Sequence, residues 1–342
     1  MSKDLPLVSI CVPTYNVAST VRETLESILG QRYSNLVVHV SDNASSDETV
    51  QIIESIKDPR LILHRNPENI GAEGNFNNCI RLAEGKYTAI FHADDVYELD
   101  MVEKQVAFLE ANPQAGAVFT EAALIDETGL RIGEIHLPRG IASKDGLYDF
   151  ETMFKAVLRH SNFFICPSVM ARTSIYQNEI GCWRGEQFKS SADLDLWLRI
   201  LLRHPVGYLR EALIRYRISS NQWSARVRMG TARADFFLVM DHYLAMDEVR
   251  MLLSCEDMRN YGWLERRDRV MRAVNLFLEG QAQQGRLLLS DTLSLDALNA
   301  AIRSKRGLIS LLLGVYVLMI TRLRLTKIGK LPLRLAKQMT GK

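Results

Sequence analysis

The chain is 342 residues long, 47% apolar and 24% charged, with a formal net charge of +2. That length holds one large α/β domain and a smaller appendage. The composition is that of a globular protein with a sizeable core, and the near-neutral charge argues against a whole-protein polyanion binder. Cys11, Cys79, Cys166, Cys182 and Cys255 form no CxxC pair, so neither a zinc site nor a disulfide framework is indicated. They read as free thiols of a reducing compartment. The opening MSKDLPLVSICVP lacks the apolar run of a signal peptide, and a cytoplasmic location is expected.

Strand and helix patterns alternate through the first half. Residues 5–12 form an apolar run ending at Pro13, read as a buried strand. Ser19 and Thr20 offer a cap for a helix with Val21, Leu25, Ile28 and Leu29 on one face. Residues 36–40 read as a second strand; Ser45 and Glu48 have capping-box spacing ahead of a helix carrying Val50, Ile52, Ile53 and Ile56. A third strand over 61–63, a helix over about 72–83 and a fourth strand over 87–91 follow, and Asp100 opens a helix ending near Asn112. Such alternation implies a mostly parallel sheet with right-handed crossovers. The middle is less regular: a strand over 118–125 turns at 126–129, a helix covers 193–202 and a short strand 213–218. Beyond about Trp223 the pattern is helical throughout.

In an open parallel sheet the ligand lies outside the carboxyl ends of the strands. Three polar clusters fall there: residues 13–16, 42–47 and 92–95. No GxGxxG follows the first strand and no GxxxxGK[ST] is present, which argues against a dinucleotide dehydrogenase or a P-loop enzyme. Asp94 and Asp95 are adjacent carboxylates at a strand end; a divalent cation or a solvated turn accounts for them equally. Asp42 suits a ribose or base contact, or a turn before a helix. Asp193 is either a general base or an acid favouring a helix N-terminus, with Asp195 two positions on.

VSICVPTYN, VSDNASSDET, NIGAEGNFNNCIRLAEGKYTAIFHADD, ADLDLWLRI and YRISSNQWSA follow one another in the order and rough spacing of the inverting, GT-A-fold glycosyltransferases of family 2, which this chain resembles over about residues 5–225. The resemblance implies a Rossmann-like, mostly parallel mixed sheet flanked by helices and a nucleoside-diphosphate-sugar donor, with UDP expected from Asp42 as a reader of the base. It carries Pro13, Thr14, Tyr15, Asn16, Asp42, Asn69 and Asp94 into nucleotide-sugar contacts, Asp94 and Asp95 into a Mn2+ or Mg2+ site, and Asp193 into the role of base. His92, Ala192 and Ser219 stand where the family has an acid, often a Glu, and commonly a His. His92 reads either as an additional metal ligand or as a buried or capping histidine. Pro167, Ser168 and Val169 match a segment near the acceptor pocket or close a buried strand, and Trp183 and Trp223 read as core residues rather than sugar platforms. Two rivals remain open: a sugar-phosphate nucleotidyltransferase, which usually carries a Gly-rich, Arg-containing loop that PTYNVAST lacks, and a non-catalytic nucleotide-sugar scaffold.

After Asp296 there is no acidic residue, while Arg303, Lys305, Arg306, Arg322, Arg324, Lys327, Lys330, Arg334, Lys337 and Lys342 are basic. The apolar part of residues 307–321, about 14 residues, is short of the roughly 20 that span a bilayer. An interfacial helix on anionic lipid, a buried helix and a partner contact all fit; the one-signed flanks favour lipid. Nucleic acid is not an expected partner, since aromatic residues are nearly absent there. The expected organisation is a catalytic domain over residues 1–225 and a helical region over 226–342. The expected acceptor is a saccharide or lipid-linked saccharide in bacterial cell-surface polysaccharide assembly, at the cytosolic face of the membrane.

Overall fold

The computed structural model describes residues 5–138, 140–141, 144–219, 230–290, 294–303, 305–323, 325 and 329–333. Trp223, Arg324, Lys327, Arg334, Lys337 and Lys342 lie outside them, as do the side chains of Arg303 and Arg306. The chain divides into two units, Met1–Ala156 with Asn162–Ser219, and Val157–Ser161 with Ser220–Lys342.

The first unit holds the sheet. In chain order it runs β1 (Val8–Thr14), α1 (Val21–Leu29), β2 (Leu36–Asp42), α2 (Thr49–Ser55), β3 (Leu61–Arg65), α3 (Gly71–Leu82), β4 (Tyr87–Ile90), β5 (Val96–Tyr97) and α4 (Met101–Ala111). β6 (Ala117–Ile125), β7 (Arg131–Ile135), β8 (Gly146–Tyr148), α5 (Phe150–His160), β9 (Met170–Arg172), α6 (Gly185–Phe188), α7 (Ala192–Leu201) and β10 (Val206–Arg217) complete it, the end of α5 falling in the second unit. The strand order is β3-β2-β1-β4-β9-β6-β10-β5, with β7 on β6 and β8 on β10. β3, β2, β1 and β4 are mutually parallel. β9 is antiparallel to both β4 and β6, so β6 runs with β4, and β10 is parallel to β6. The α/β expectation of a mostly parallel mixed sheet flanked by helices therefore holds. One edge of the sheet collects the ends of β1, β2, β4, β6 and β10.

Apolar residues on both faces make the central strands impossible to solvate. Val8, Ile10 and Val12 of β1 are buried with Leu25 and Ile28 of α1 and Val38 and Val40 of β2 in one core. Close approach is required where β4 begins: a Cβ on Gly85 would sit 2.5 Å from the Leu7 carbonyl oxygen.

Several local expectations fail for tertiary reasons. The Ser45–Glu48 capping box does not form; Ser45 Oγ instead donates to buried Asp42 Oδ1 at 2.6 Å, and α2 starts at Thr49 without a side-chain cap. The last strand begins at Val206 rather than 213, with register breaks around Leu209 and Ala212 where Arg210 and Glu211 interrupt the apolar pattern. Residues 163–166 form no strand: Cys166–Ser168 is a 3-10 turn, and β9 starts beyond it at Met170. β5, β7, β8 and β9 are two to five residues long and are set by pairing with neighbours, which periodicity does not report.

The second unit contains helices α8 (Phe236–Leu244), α9 (Asp247–Met251), α10 (Cys255–Leu278), α11 (Ala282–Leu287), α12 (Leu295–Arg303) and α13 (Lys305–Arg322). α10 opens on a capping box: the Asp257 N–H donates to Ser254 Oγ, and the Ser254 N–H to Asp257 Oδ2. Val317 and Ile320 of α13 are buried against Val270, Val274 and Phe277 of α10. Leu308, Leu312, Val315 and Met319, spaced one helical face apart, are 38–59% exposed. The apolar segment of the tail is thus half core and half surface. Among the described residues no helix is long and apolar enough to cross a membrane.

Candidate functional site

At the ends of β1 and β2 the loops are tied by one carboxylate. Asp42, fully buried, accepts hydrogen bonds from Thr14 Oγ1, Ser45 Oγ and the Ser45 N–H at 2.6–3.1 Å. A carboxylate has about four acceptor positions, so one remains. Asn16 holds Ser46 through its side chain, and its own N–H donates to Ser45 Oγ. Tyr15 beside it is 48% exposed. Pro13 is half-buried under this loop. Asn69 Oδ1 accepts from Asn43 Nδ2 and the Gly71 N–H, both at 2.9 Å, so Asn69 shapes the entry to α3. Asn66, Asn75 and Asn78 extend this amide network beneath the loops.

Beyond β4, the side chains of His92, Asp94 and Asp95 bring their ligating atoms within 4.8 Å of one another. Asp95 is fully buried; Oδ1 accepts from the Arg217 N–H at 2.8 Å, and Oδ2 has no hydrogen-bond partner among the described residues. Burial first, then the charge of Asp94, pushes the Asp95 carboxyl well above the usual carboxylate range. His92 Nε2 is likewise buried without a hydrogen-bond partner among the described residues. Burial holds the imidazole below its ordinary pKa against the pull of Asp94, so it is the neutral, ligating form. An imidazole and two carboxylates, two of the three carrying a buried atom without a hydrogen-bond partner among the described residues, are the donor set of a divalent-cation site, and the residues fit such an ion.

Asp193 lies in the first turn of α7. Its Oδ1 accepts the Leu194 N–H at 2.7 Å, and Asn162 hydrogen-bonds the same carboxyl. Burial raises its pKa to about 6 although the side chain keeps some accessible surface. The part-buried Cys166 thiol is raised by desolvation and then by the charges of Asp193 and Asp95. The Tyr216 phenol is raised by burial and then by Asp95, Asp94, Cys166 and Asp193. The charges of Asp193 and Asp95 thus both reach Cys166 and Tyr216. Asp195 has a different role: fully buried, it receives Arg184 at 2.5 and 2.9 Å and Arg199 at 2.9 Å. Arg199 in turn donates to the carbonyls of Ile180 and Cys182, fastening that loop to α7.

Non-glycine residues with left-handed backbone among the described residues are Asn16, Ala44, Ser161 and Lys189. They lie in the loops after β1 and β2, beside Asn162, and just ahead of α7. Strain of this kind persists where the surroundings over-determine the backbone, and it clusters at sites.

The sequence-derived residues thus fall into the loops holding Pro13–Asn16, Asp42 and Asn69, the cluster of His92, Asp94 and Asp95, and Asp193 at the start of α7. Ser168 is sealed in the core: its Oγ donates to the Ile165 carbonyl and accepts the Thr120 N–H. Trp183 packs as expected for a core residue, stacked on Phe76 with centroids 4.5 Å apart; Phe76 meets the His92 ring edge-on at 5.8 Å. Sequence reasoning missed Arg217. Besides the bond to Asp95, its guanidinium donates to the Asp94, Asp126 and Glu127 carbonyls and to Glu23 Oε2. A lone arginine in the strand-end motif YRISS was the available signal. The asparagine network was visible only as the crowding of Asn66, Asn69, Asn75, Asn77 and Asn78.

Residues 9–178 match the model of Glycosyl transferase family 2. The chain is 31% identical over 225 residues to the putative glycosyltransferase EpsE of Bacillus subtilis, an overlap of 65% of this chain and 76% of that protein. It is 28% identical over 197 residues, 58% of this chain and 71% of the other, to the Escherichia coli UDP-Glc:alpha-D-GlcNAc-diphosphoundecaprenol beta-1,3-glucosyltransferase WfaP. Among solved structures, S. aureus TarS 1-349 in complex with UDP-GlcNAc superposes with a TM-score of 0.60 at 17% identity, covering 92% of this chain and 91% of that one. At that identity the likeness is one of fold.

The two α7 carboxylates should separate in stability. Asp195→Asn leaves two arginines facing a neutral group and should cost about 3 kcal/mol, the lower end for a broken buried pair because Arg184 is part-exposed. A native Asp193 pKa of about 6 lies above its unfolded value, so its ionisation costs the fold stability as pH rises from about 4 to 6. Asp193→Asn removes that cost and should melt at an equal or higher temperature at pH 8. Thermal melts at pH 5 and pH 8 test both, and equal losses in the two variants would reject the separation.

Proposed function

This chain belongs to glycosyl transferase family 2, and from that premise we propose that it moves a sugar from a UDP-sugar onto a hydroxyl acceptor in a single inverting displacement. The observation that carries the reading is Asp193, a carboxyl raised to about 6 by burial, whose charge bears on Cys166 and Tyr216 together with that of Asp95. A base is most effective when its pKa lies near the working pH. Ionised Asp193 takes the proton from the acceptor hydroxyl. The hydroxyl oxygen then bonds to the anomeric carbon as the bond to the diphosphate oxygen breaks, and the electron pair leaves with the nucleoside diphosphate. Attack opposite the leaving group inverts the anomeric centre. Asn162 and the Leu194 N–H hold the Asp193 carboxyl in one orientation while it waits.

His92, Asp94 and Asp95 would hold magnesium or manganese, which supplies charge neutralisation for the diphosphate. Tyr15 presents its exposed ring to the nucleoside. Thr14, Asn16 and Asn69 keep the loops in shape, and Asp42 keeps one acceptor position for a base N–H. The first unit, Met1–Ala156 with Asn162–Ser219, is the catalytic one, within the expected bounds of residues 1–225. In the helical remainder, the exposed row Leu308, Leu312, Val315 and Met319, with Lys305 and Arg322 near its ends, supports peripheral contact with an anionic membrane on its cytosolic face. A diphosphoundecaprenol-linked acceptor in the name of one relative supports a lipid-linked saccharide acceptor and a role in cell-surface polysaccharide assembly.

Asp193→Asn should lower transfer about a hundred- to ten-thousandfold with donor affinity unchanged. The wild type should gain kcat/KM as pH rises through about 6, since protonated Asp193 cannot accept a proton. A flat profile, or near-normal transfer by the variant, rejects Asp193 as base. Calorimetry should find UDP-sugar bound at least about tenfold more tightly with manganese than with chelator, a difference of 1.4 kcal/mol. Asp95→Asn should erase that difference; equal affinity in both conditions for the wild type removes the metal. Replacing Leu312 and Met319 together by Gln should reduce co-sedimentation with phosphatidylglycerol vesicles at unchanged melting temperature, and salt should weaken what the wild type shows. Undiminished sedimentation of the double variant assigns that face to something other than lipid.

A further inference from the structure

The sheet face that α3 covers carries a titratable cluster that the transfer chemistry does not use. Side chains alternate along a strand, so His39 shares a face of β2 with Ser41, whose Oγ donates to Asn75 of α3 at 2.7 Å. His64 of β3 stands two residues before Asn66, whose Oδ1 accepts from Asn78 of α3 at 2.8 Å. His39 Nδ1 and His64 Nε2 are 3.1 Å apart. The other His39 nitrogen, Nε2, is buried without a hydrogen-bond partner among the described residues, and the Glu84 carboxylate lies 3.7 Å from it. Glu84 follows α3, and its N–H is tied to Ser9 Oγ at 3.0 Å. From β1 the register partner of His39 is Cys11, whose thiol donates to the Cys79 carbonyl of α3. Glu73 lies in the first turn of α3, and Arg81 in its last turn is exposed, as is Arg65 at the end of β3. The charges that bear on His39 are those of His64 and Glu84.

Each imidazole nitrogen either carries a proton or offers a lone pair. With both rings neutral, a proton on His64 Nε2 serves the bond between them and leaves the His39 proton on Nε2, toward Glu84. One further proton is accommodated. His39 then donates from Nδ1 to His64 and keeps its Nε2–H toward Glu84. A second added proton sets N–H against N–H at 3.1 Å, two cations beside one carboxylate, and the rings must part. Burial holds His39 below its ordinary pKa, with His64 adding to that and Glu84 opposing it; burial also lowers His64. The unfolded chain therefore takes up protons before the folded one does. The stability that the neutral pair contributes is complete above the unfolded value of about 6.5, and is lost as pH falls from there toward the lower folded values.

We propose that His39 and His64 form an acid-sensitive clasp: neutral, the pair holds β3 and α3 against β2, and charged, it releases β3 and weakens donor binding. The second half rests on the reading of the loops after β1 and β2 as the donor site. The Asn66 N–H donates to the Asp42 carbonyl at 2.9 Å, and its side-chain amide to Asn43 and Asn75 at 3.3 Å. Opening β3 therefore takes support from Asp42 and Asn43.

Amide hydrogen exchange of the full chain at pH 7.5 and pH 5.5, corrected for the intrinsic rate, is the test, with UDP-sugar affinity in manganese measured alongside. The lower pH is one unit under the unfolded histidine value, so protection of β3 and α3 should fall about tenfold for each histidine that the fold keeps neutral. His64→Gln, at a half-buried position, keeps a hydrogen bond to His39 without a second titrating ring and should blunt that fall. Glu84→Gln removes the carboxylate that favours the first proton and should steepen it; that side chain is 61% exposed, so the variant should fold. Between the two pH values donor affinity should drop further in the wild type than in His64→Gln, a comparison in which the titration of His92 and Asp193 cancels. Equal pH dependence of exchange in the wild type and His64→Gln, a shallower fall in Glu84→Gln, or an exchange difference with no difference in donor affinity would each overturn the proposal. If UDP-sugar binds at neither pH, the donor reading fails by itself, and exchange in β3 decides the clasp alone.

Discussion

A buried carboxylate at the end of β4 constrains the whole first unit. Asp95 has no access to water, and its main chain and side chain are both fixed by other elements. Thr24 of α1 donates to its carbonyl at 2.7 Å, and the Arg217 N–H at the end of β10 donates to its Oδ1. The Arg217 side chain continues to Glu23 of α1 and to the carbonyls of Asp94, Asp126 and Glu127. The first helix, the turn after β4, the turn after β6 and the last strand therefore meet at one residue. What none of them supplies is a donor for Asp95 Oδ2. Desolvating a carboxylate oxygen without a partner costs free energy that the surrounding fold must offset. Such a cost is retained where the atom has a ligand to meet.

The two carboxylates of α7 show how one dipeptide spacing yields opposite chemistry. Asp195 is paired with Arg184 and Arg199 as part of the scaffold. Asp193 has hydrogen-bond donors but, among the described residues, no cation raising or lowering it, so burial dominates and its carboxyl rises to about 6. The helix period separates them, since two residues on are about 200° around the axis. The scaffold member fixes the loop carrying Trp183, and through Phe76 that loop packs beside His92. A mutation at Asp195 consequently reaches His92 through packing.

The helical unit is organised around α10 in two directions. Val270, Val274 and Phe277 face a core shared with Val317 and Ile320 of α13. The turns nearer its N-terminus, from Arg259 to Arg269, carry charge into concave surface. α13 is thus part of the core and part of an exposed apolar face at once, and an isolated tail removed at its start would take buried residues with it.

Sequence alone determined the α/β alternation, the parallel strand set and the three polar clusters after strands. Strand burial and helix amphipathicity are periodic, and ligands lie at strand ends whatever the side chains. It also determined that Asp193 and Asp195 could not share one ligand, because helix geometry is local. It could not determine which of them would be paired with arginine, because that depends on Arg184, eleven positions away in sequence from Asp195, and on how the chain brings the two together. Nor could it reveal Arg217, whose partners lie as far as 194 positions distant in the chain. The short strands β5, β7, β8 and β9 escaped for the same reason: they exist because a neighbour offers backbone partners. The cap at Ser45 failed because Asp42, buried by strand pairing, took its hydroxyl. Local periodicity and strand-end position are written along the chain, whereas burial and charge pairing are properties of residues brought together, and only the tertiary structure decides them.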